Sequence, residues 1–125
     1  MSTRIAAAVE RLGVRPNDHV LEIGCGHGIA VSMICERLVS GKVLAIDRSV
    51  RMVEAARRRN AAHLVSGRAE IVVSELEAFD PGRRRFDAVL ALRVGLFHRD
   101  PEKAHALVRR WLKPGGRLVA EYDEP

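Results

Sequence analysis

The stretch that decides the fold runs from His19 to Gly28 and reads His-Val-Leu-Glu-Ile-Gly-Cys-Gly-His-Gly. Its first half is an apolar run of strand length, and its second half places glycine at positions 24, 26 and 28. Glycine lets the backbone turn tightly and approach a ligand, because no Cβ blocks the contact or disfavours a positive φ. A helix-compatible segment, 29–38, follows directly. The loop is therefore predicted to lead into a helix N-terminus whose free N–H groups face a ligand.

The glycine spacing argues against two common nucleotide sites. A dinucleotide fingerprint G-x-G-x-x-G counted from Gly24 needs its third glycine at position 29, where this chain has Ile29. The third glycine is Gly28 instead, and a carboxylate, Glu22, stands two residues before the first one. The chain has no glycine-lysine-serine string of the kind that holds nucleoside triphosphates.

Strand-like and helical segments alternate along the whole chain. Such alternation predicts an α/β fold, because parallel strands joined by right-handed helical crossovers place helices on both faces of one sheet. We expect a Rossmann-like three-layer sandwich with a mainly parallel sheet of about five strands. The predicted strands are 19–23, 42–46, 69–73, 86–92 and 117–122. The predicted helices are 3–12, 29–38, one capped by Ser49 that carries Met52, Val53, Ala56 and Leu64 on one side, and one that starts at Asp100-Pro101.

Length and composition fit one domain, which we expect to cover residues 1–125. Apolar residues make up 47% and charged residues 30% of the chain, so a disordered or fibrous protein is not expected. With only two cysteines, Cys25 and Cys35, a stabilising disulfide is not expected, and a reducing cytoplasm is the natural setting. No stretch approaches the ~20 apolar residues of a membrane span, so we expect no membrane association.

The net charge of +5 comes mostly from arginine, which forms clusters at 57–59, 83–85 and 109–110. A basic patch attracts polyanions. Aromatic residues, however, make up only 4% of the chain, and none alternates with these arginines as a base-stacking surface requires. We therefore interpret the clusters as solvated surface and do not expect nucleic acid as a partner.

Five ordered signals resemble the class I S-adenosylmethionine (SAM)-dependent methyltransferases. They are the Glu22–Gly28 loop, Asp47 at the end of the second strand, the helix that carries Met52, the Glu75-Leu76 pair after the third strand, and the 111–119 segment Trp-Leu-Lys-Pro-Gly-Gly-Arg-Leu-Val. In the family, the loop wraps the methionyl end of SAM and the Asp47 position accepts the ribose hydroxyls. The Glu75-Leu76 position reaches the adenine.

The resemblance implies SAM as cofactor and a set of residues that contact it: Glu22, Gly24, Cys25, Gly26, Gly28, Asp47, Arg48, Met52, Glu75, Leu76 and Leu92. Each carboxylate also has a structural interpretation. Glu22 could pair with an arginine to fix the loop, Asp47 could be purely structural, and Glu75 could be an exposed surface residue.

His98 is the best candidate for a general base, because imidazole titrates near neutrality and the segment after the fourth strand borders the ligand side of the sheet. It could equally be a loop or capping histidine. Methyl transfer from a sulfonium proceeds by in-line displacement, so positioning alone can supply most of the acceleration. His27 lies in the glycine loop and is expected to offer only its backbone to a ligand. The other three histidines, His19, His63 and His105, show no spacing typical of a metal site, so no metal is expected.

Two motifs that are absent from the sequence reduce the range of methyl acceptors to be expected. The segment 91–94 lacks the Asn/Asp-Pro-Pro-Tyr/Phe string of amino-methylating relatives, and neither cysteine stands where pyrimidine C5-methylating relatives keep their nucleophile. A small-molecule acceptor is the remaining expectation.

Family members usually continue beyond the fifth strand into an antiparallel pair, which this sequence lacks. We therefore expect an open edge along 118–122 that a second copy or another protein covers. Three hypotheses follow: a minimal methyltransferase, a SAM-binding subunit or degenerate relative without catalysis, and another nucleotide-binding Rossmann protein.

Overall fold

The computed structural model describes residues 3–122, in which strands and helices alternate as the sequence predicts. A 3₁₀ turn, Leu76–Ala78, follows the third strand. In chain order the other elements are α1 (Thr3–Leu12), β1 (His19–Ile23), α2 (Ile29–Arg37), β2 (Lys42–Asp47), α3 (Val50–Arg59), α4 (Ala61–Val65), β3 (Ala69–Val73), β4 (Phe86–Leu92), α5 (Gly95–Arg99), α6 (Pro101–Trp111) and β5 (Leu112–Glu121).

All five strands pair in parallel, in the order β3-β2-β1-β4-β5. The predicted fold class is confirmed. The connection from β1 leads to β2 on one side, whereas β4 pairs with β1 on the other, so the strand order reverses between β1 and β4. In open parallel sheets, ligands bind in the crevice at the carboxyl ends of the strands beside such a reversal.

The sheet is buried on both faces, because alternate side chains of its strands point to opposite helical layers. Val20 and Ala45 belong to a buried cluster that also contains side chains of α1, α2 and α3. Leu21 and Ile46 belong to the opposite cluster, which contains side chains of α5 and α6. Two packed layers therefore fix the strand ends that surround the crevice.

Two helix starts agree with their predicted caps. The Ser49 hydroxyl accepts a hydrogen bond from the Met52 N–H at 3.2 Å, and α3 begins at the next residue. The Asp100 carboxylate accepts one from the Lys103 N–H, also at 3.2 Å, and α6 begins with Pro101. Each side chain satisfies an N–H group that the helix leaves without a partner.

The helix predicted to carry both Met52 and Leu64 is interrupted at Asn60, which is 1% exposed. Its amide nitrogen donates to the carbonyls of Ala56 (3.0 Å) and Gly28 (3.1 Å), and its amide oxygen accepts from the Ser32 hydroxyl at 2.7 Å. The prediction of one continuous helix was wrong, because this buried amide ties the end of α3 to the start of α2.

Strand β5 begins earlier than predicted, at Leu112, and Tyr122 lies just beyond its end. Its register with β4 shifts between the Phe86–Leu112 and Ala88–Arg117 pairs. Gly115, with a φ of +77°, lies within this irregularity. The strand predicted at 117–122 left out the Pro-Gly-Gly segment, which forms a bulge that the ladder spans.

The two edges of the sheet differ. At the β3 edge, Nε and Nη2 of Arg57 donate to the carbonyl of Ile71 at 2.9 and 2.6 Å. At the β5 edge, Leu118, Val119 and Ala120 are half-buried. No helix within residues 3–122 has the length and apolar content needed to cross a membrane.

Candidate functional site

The glycine loop lies at the carboxyl end of β1 and is tied to the end of β2. The Ile46 carbonyl accepts hydrogen bonds from both Gly24 N–H (2.8 Å) and Cys25 N–H (3.0 Å). Gly24, Gly26 and Gly28 all have positive φ angles, of +74°, +53° and +84°. The loop therefore adopts a backbone conformation that other residues disfavour, as its sequence predicts.

The second and third glycines are needed for different reasons. A Cβ on Gly26 would meet no protein atom within 4 Å, so the space in front of it is open. A Cβ on Gly28 would lie 2.7 Å from Nδ2 of Asn60 and 2.9 Å from the Cβ of Ala56. Gly26 thus leaves room for a ligand, whereas Gly28 leaves room for α3.

The Asp47 carboxylate connects the loop to the next helix. One oxygen accepts from the Gly26 N–H at 2.9 Å, and the other accepts from the Ser49 N–H at 2.9 Å. Each carboxylate oxygen retains further acceptor capacity, since an ionised carboxylate has about four lone-pair sites. Asp47 can therefore hold the loop and still accept hydrogen bonds from a ligand.

Two cavities open at this end of the sheet. The first, of about 240 Å³, we call the Asp47 cavity; the second, of about 320 Å³, we call the Glu22 cavity. They meet at Gly24 and Arg93, which line both. The Asp47 cavity is also lined by Ile23, Ile46, Asp47, Arg48, Ser74, Glu75, Leu76, Glu77, Val94, Gly95, Leu96 and Arg99, and the Glu22 cavity by Arg4, Ile5, Glu22, Cys25, Gly26, His27, Ile29, Ala30, Leu92 and Glu121.

Glu22 is the most unusual group of the site. It is 3% exposed, and within residues 3–122 its Oε1 is the one buried side-chain oxygen or nitrogen that has no hydrogen-bond partner. Burial, with a smaller contribution from the negative charge of Asp47, raises the pKa of Glu22 from its ordinary 4.5 to about 8. Buried polar atoms nearly always have a hydrogen-bond partner. An unpaired one therefore indicates either that a ligand supplies the partner or that the fold is destabilised at this position.

Cys25 is buried beside this carboxyl group. Burial and the nearby carboxylates of Glu22 and Asp47 raise the pKa of its thiol to about 12. A thiol that remains protonated is a poor nucleophile. Cys25 therefore lines the Glu22 cavity as a small apolar side chain.

The cavities contain nine of the eleven residues that the resemblance assigns to the cofactor. Gly28 and Met52 line neither cavity: Gly28 is buried against α3, and Met52 lies half-buried in the first turn of α3. The residues that do line them are Glu22, Gly24, Cys25, Gly26 and Leu92 in the Glu22 cavity, and Asp47, Arg48, Glu75 and Leu76 in the Asp47 cavity.

His98, the candidate base, lies on α5 and lines neither cavity. Its exposed ring stacks on Tyr122, with ring centroids 4.4 Å apart and an interplanar angle of 17°. Among residues 3–122, no three His, Cys, Asp or Glu side chains cluster so as to hold a metal ion.

Sequence reasoning missed the residues that follow β4. Arg93 has a φ of +56° and is the one described non-glycine residue with a positive φ. Arg99 lies six residues further along, at the end of α5, and lines the Asp47 cavity. Positive φ at an arginine has no signature in sequence, whereas the cluster of charges after a predicted strand could have drawn attention to Arg99.

The family model for a methyltransferase domain matches residues 20–116. Among curated proteins, the chain is 34% identical over 121 residues to a protein-L-isoaspartate O-methyltransferase of Methylorubrum populi, which covers 97% of the chain and 52% of that protein. It is 32% identical over 120 residues to the ubiquinone/menaquinone biosynthesis C-methyltransferase UbiE of Francisella tularensis subsp. novicida, covering 94% of the chain and 48% of that protein. The chain thus spans about half the length of these relatives.

Among solved structures, coclaurine N-methyltransferase bound to N-methylheliamine and S-adenosylhomocysteine (SAH) superposes with a TM-score of 0.80 at 19% identity. The match covers 94% of this chain and 34% of that protein. At this identity the likeness concerns the fold alone. The names of these three proteins include O-, C- and N-methyltransferases, so the likeness does not specify an acceptor atom.

The family match extends over most of the chain and includes the glycine loop, Asp47 and the Pro-Gly-Gly bulge. The resemblance stated from the sequence is confirmed: the chain belongs to the methyltransferase-domain family, whose fold is that of the class I SAM-dependent methyltransferases.

Proposed function

We propose that this chain binds SAM across the two cavities and transfers its methyl group to a small molecule. The observation that carries the proposal is the buried carboxyl group of Glu22, whose Oε1 has no partner and which lines a cavity of about 320 Å³. An ammonium group is the natural partner for such a carboxylate, because a charge-assisted hydrogen bond offsets the cost of burying it.

The methionyl end of SAM suits the Glu22 cavity because of this pairing between an ammonium group and a carboxylate. It carries an ammonium group that matches Glu22, and the open space in front of Gly26 leaves room for it. Cys25 and Leu92 add apolar wall on the same side. The residues present therefore fit this half of the cofactor.

The adenosine end fits the Asp47 cavity. Spare lone pairs of Asp47 are available for ribose hydroxyls, and Glu75 can accept from the adenine amine. Leu76, which is 7% exposed, supplies an apolar surface for the ring, and Arg48 closes the same wall. Gly28 and Met52 act indirectly in this proposal, by packing and by the cap of α3.

When bound, SAM supplies an activated methyl group, so this chain has to orient the acceptor and exclude water. The junction of the cavities at Gly24 and Arg93 is where an acceptor would approach. His98 remains our candidate for removing an acceptor proton; its exposed position on α5 requires the acceptor to reach beyond the cavities.

Isothermal titration tests the proposal directly. SAM and SAH should bind with a stoichiometry of one, whereas NAD should not bind. The variant Glu22→Gln, which keeps the shape and removes the charge, should weaken SAM binding roughly tenfold or more. Selective binding of NAD would support another nucleotide-binding Rossmann protein. SAM binding without turnover on any acceptor would support the SAM-binding subunit.

We further propose that a second copy of this chain pairs with the β5 edge. The Glu121 carbonyl accepts from the Arg93 N–H at 2.7 Å and so points towards β4. Because backbone groups alternate sides along a strand, those of Ala120 and Leu118 point outward. No side chain among residues 3–122 caps these outward carbonyls as Arg57 caps the carbonyl of Ile71 at the opposite edge. Open edges of this kind are normally paired or covered.

A further inference from the structure

Two arginines line the Asp47 cavity on the α5 side. Arg93 follows β4 and lines both cavities, and Arg99 lies on α5. Both side chains are exposed, so a molecule that enters from solvent can reach them. Asp47, at the end of β2, and Glu75, after β3, line the same cavity, and both strands lie on the other side of β1 from β4. The arginines therefore belong to the wall opposite the proposed adenosine contacts.

The backbone holds Arg93 in an uncommon conformation. Its φ of +56° falls in the left-handed region, and its N–H donates to the Glu121 carbonyl at 2.7 Å. Such a conformation costs about 1–3 kcal/mol and is concentrated at functional sites, where the surrounding structure enforces it. Here the β4–β5 ladder enforces it and places the arginine at the junction of the two cavities.

The guanidinium of Arg99 lies close to Gly95, which has no side chain. Gly95 does not have a positive φ, so its backbone conformation does not require glycine. A Cβ at Gly95 would instead collide with Nη1 of Arg99. Gly95 thus leaves room for the guanidinium at the cavity wall.

The charge of Arg99 is not neutralised locally. Within residues 3–122 its guanidinium makes no hydrogen bond or ion pair, and the neighbouring Glu77 is engaged by Lys103 Nζ at 3.3 Å. Arginine presents a planar fork of donors that matches a carboxylate in two parallel hydrogen bonds. An exposed guanidinium that forms part of a cavity wall and has no partner among the described residues is therefore suited to an anionic ligand.

We propose that the acceptor is an organic carboxylate that Arg93 and Arg99 hold at the junction of the two cavities. This inference rests on the proposed function, because it takes the rest of the site to be filled by SAM. The carboxylate is attracted by both guanidinium groups, and Arg93 places it beside Gly24, where the cavities meet. Neutral molecules of the same shape lack this attraction.

The test uses the full chain saturated with SAH, whose binding is first measured by calorimetry. Benzoate, benzamide and phenyl phosphate are then titrated while the ¹⁵Nε resonances of the arginine side chains are followed by NMR. Benzoate should shift the resonances of Arg93 and Arg99 with saturation in the millimolar range, and benzamide should not. Arg93→Gln and Arg99→Gln should each weaken benzoate binding roughly tenfold when it is measured at an SAH concentration that saturates that variant.

The matched control is Arg58→Gln, an exposed arginine of α3 that lines neither cavity. It should leave benzoate binding unchanged. Equal binding of benzoate and benzamide, preference for phenyl phosphate, or unchanged benzoate binding in both arginine variants would overturn the carboxylate proposal while SAH binding remains. Failure of SAH to bind would instead overturn the proposed function and this inference with it.

Discussion

One carboxylate oxygen of Asp47 accepts a hydrogen bond from the backbone N–H of Gly26 at 2.9 Å, which couples the end of β2 to the glycine loop of β1. The other oxygen of Asp47 accepts a hydrogen bond from the N–H of Ser49, the residue that caps the start of α3. A residue predicted as a ribose ligand therefore also shapes the loop that would receive the methionyl end. Its loss should affect both halves of the site.

Replacing Asp47 by Ala should lower SAM affinity by ~1.5–3 kcal/mol, because charge-assisted hydrogen bonds are lost. It should also lower the free energy of unfolding by ~1–3 kcal/mol, because two partly buried N–H groups lose their acceptor. Calorimetry with SAM and urea unfolding measure the two effects separately.

Asp80→Ala is the matched control, because the exposed Asp80 carboxylate also accepts a backbone N–H, that of Gly82 at 2.8 Å, and lines neither cavity. SAM affinity should be unchanged in this variant. Unaltered SAM binding in Asp47→Ala would rule out the ribose assignment.

The paired variants Gly26→Ala and Gly28→Ala should separate ligand space from packing. Gly26→Ala should lower the free energy of unfolding by only the ~1–2 kcal/mol of a left-handed conformation, since its Cβ meets no protein atom. It should nevertheless weaken SAM binding, because the Cβ occupies the space in front of the loop. Gly28→Ala should destabilise the fold more strongly, because its Cβ would overlap α3. Urea unfolding and calorimetry on both variants provide the comparison. Normal SAM binding by Gly26→Val would show that the loop is not the cofactor site.

These two glycines also show how far sequence could lead. Their spacing predicted the loop, because backbone requirements are local and appear as residue type. It did not distinguish a glycine that faces a ligand from one that faces a helix, since that depends on where Asn60 and Ala56 pack. For the same reason the break at Asn60 and the left-handed Arg93 were not foreseen: both are enforced by distant segments.

The raised pKa of Glu22 should make the ligand-free protein less stable as the pH rises. The folded group titrates at about 8 and the unfolded one near 4.5, so the folded state binds more protons between these values. Its contribution is present below pH 4.5 and is lost as the pH rises through 8. Unfolding followed between pH 5 and 9 should show this decline, and Glu22→Gln should reduce it. An identical pH dependence in this variant would contradict the assignment.

The same group should make SAM binding proton-linked. An ammonium group pairs with the ionised form of Glu22, so binding at pH 7 should release a proton, and affinity should increase as the pH rises towards 8. Calorimetry in buffers with different ionisation enthalpies measures the released proton. Glu22→Gln should abolish that release, whereas the same proton release in the variant would assign it to another group.

The role of His98 can be tested with two substitutions once an acceptor is identified. If His98 is the general base, both His98→Ala and His98→Phe should lower the rate by ~10²–10⁴ while SAM affinity is retained. If it acts through its stacking on Tyr122, His98→Phe should retain most of the activity, because a phenyl ring preserves the contact. Steady-state kinetics of the two variants distinguish these roles.

Self-association through β5 should depend on the outward backbone of Ala120. Light scattering at micromolar concentrations should show a dimer, and Ala120→Pro should dissociate it, because proline removes an outward N–H that only a partner strand would use. Val119→Pro is a poorer test, because the N–H of Val119 points towards β4 and its loss would disturb the sheet itself.

Arg57→Gln, which uncovers the Ile71 carbonyl at the opposite edge, should leave the dimer intact. A wild-type chain that stays monomeric would exclude the pairing of two copies, and a dimer that survives Ala120→Pro would place the interface elsewhere.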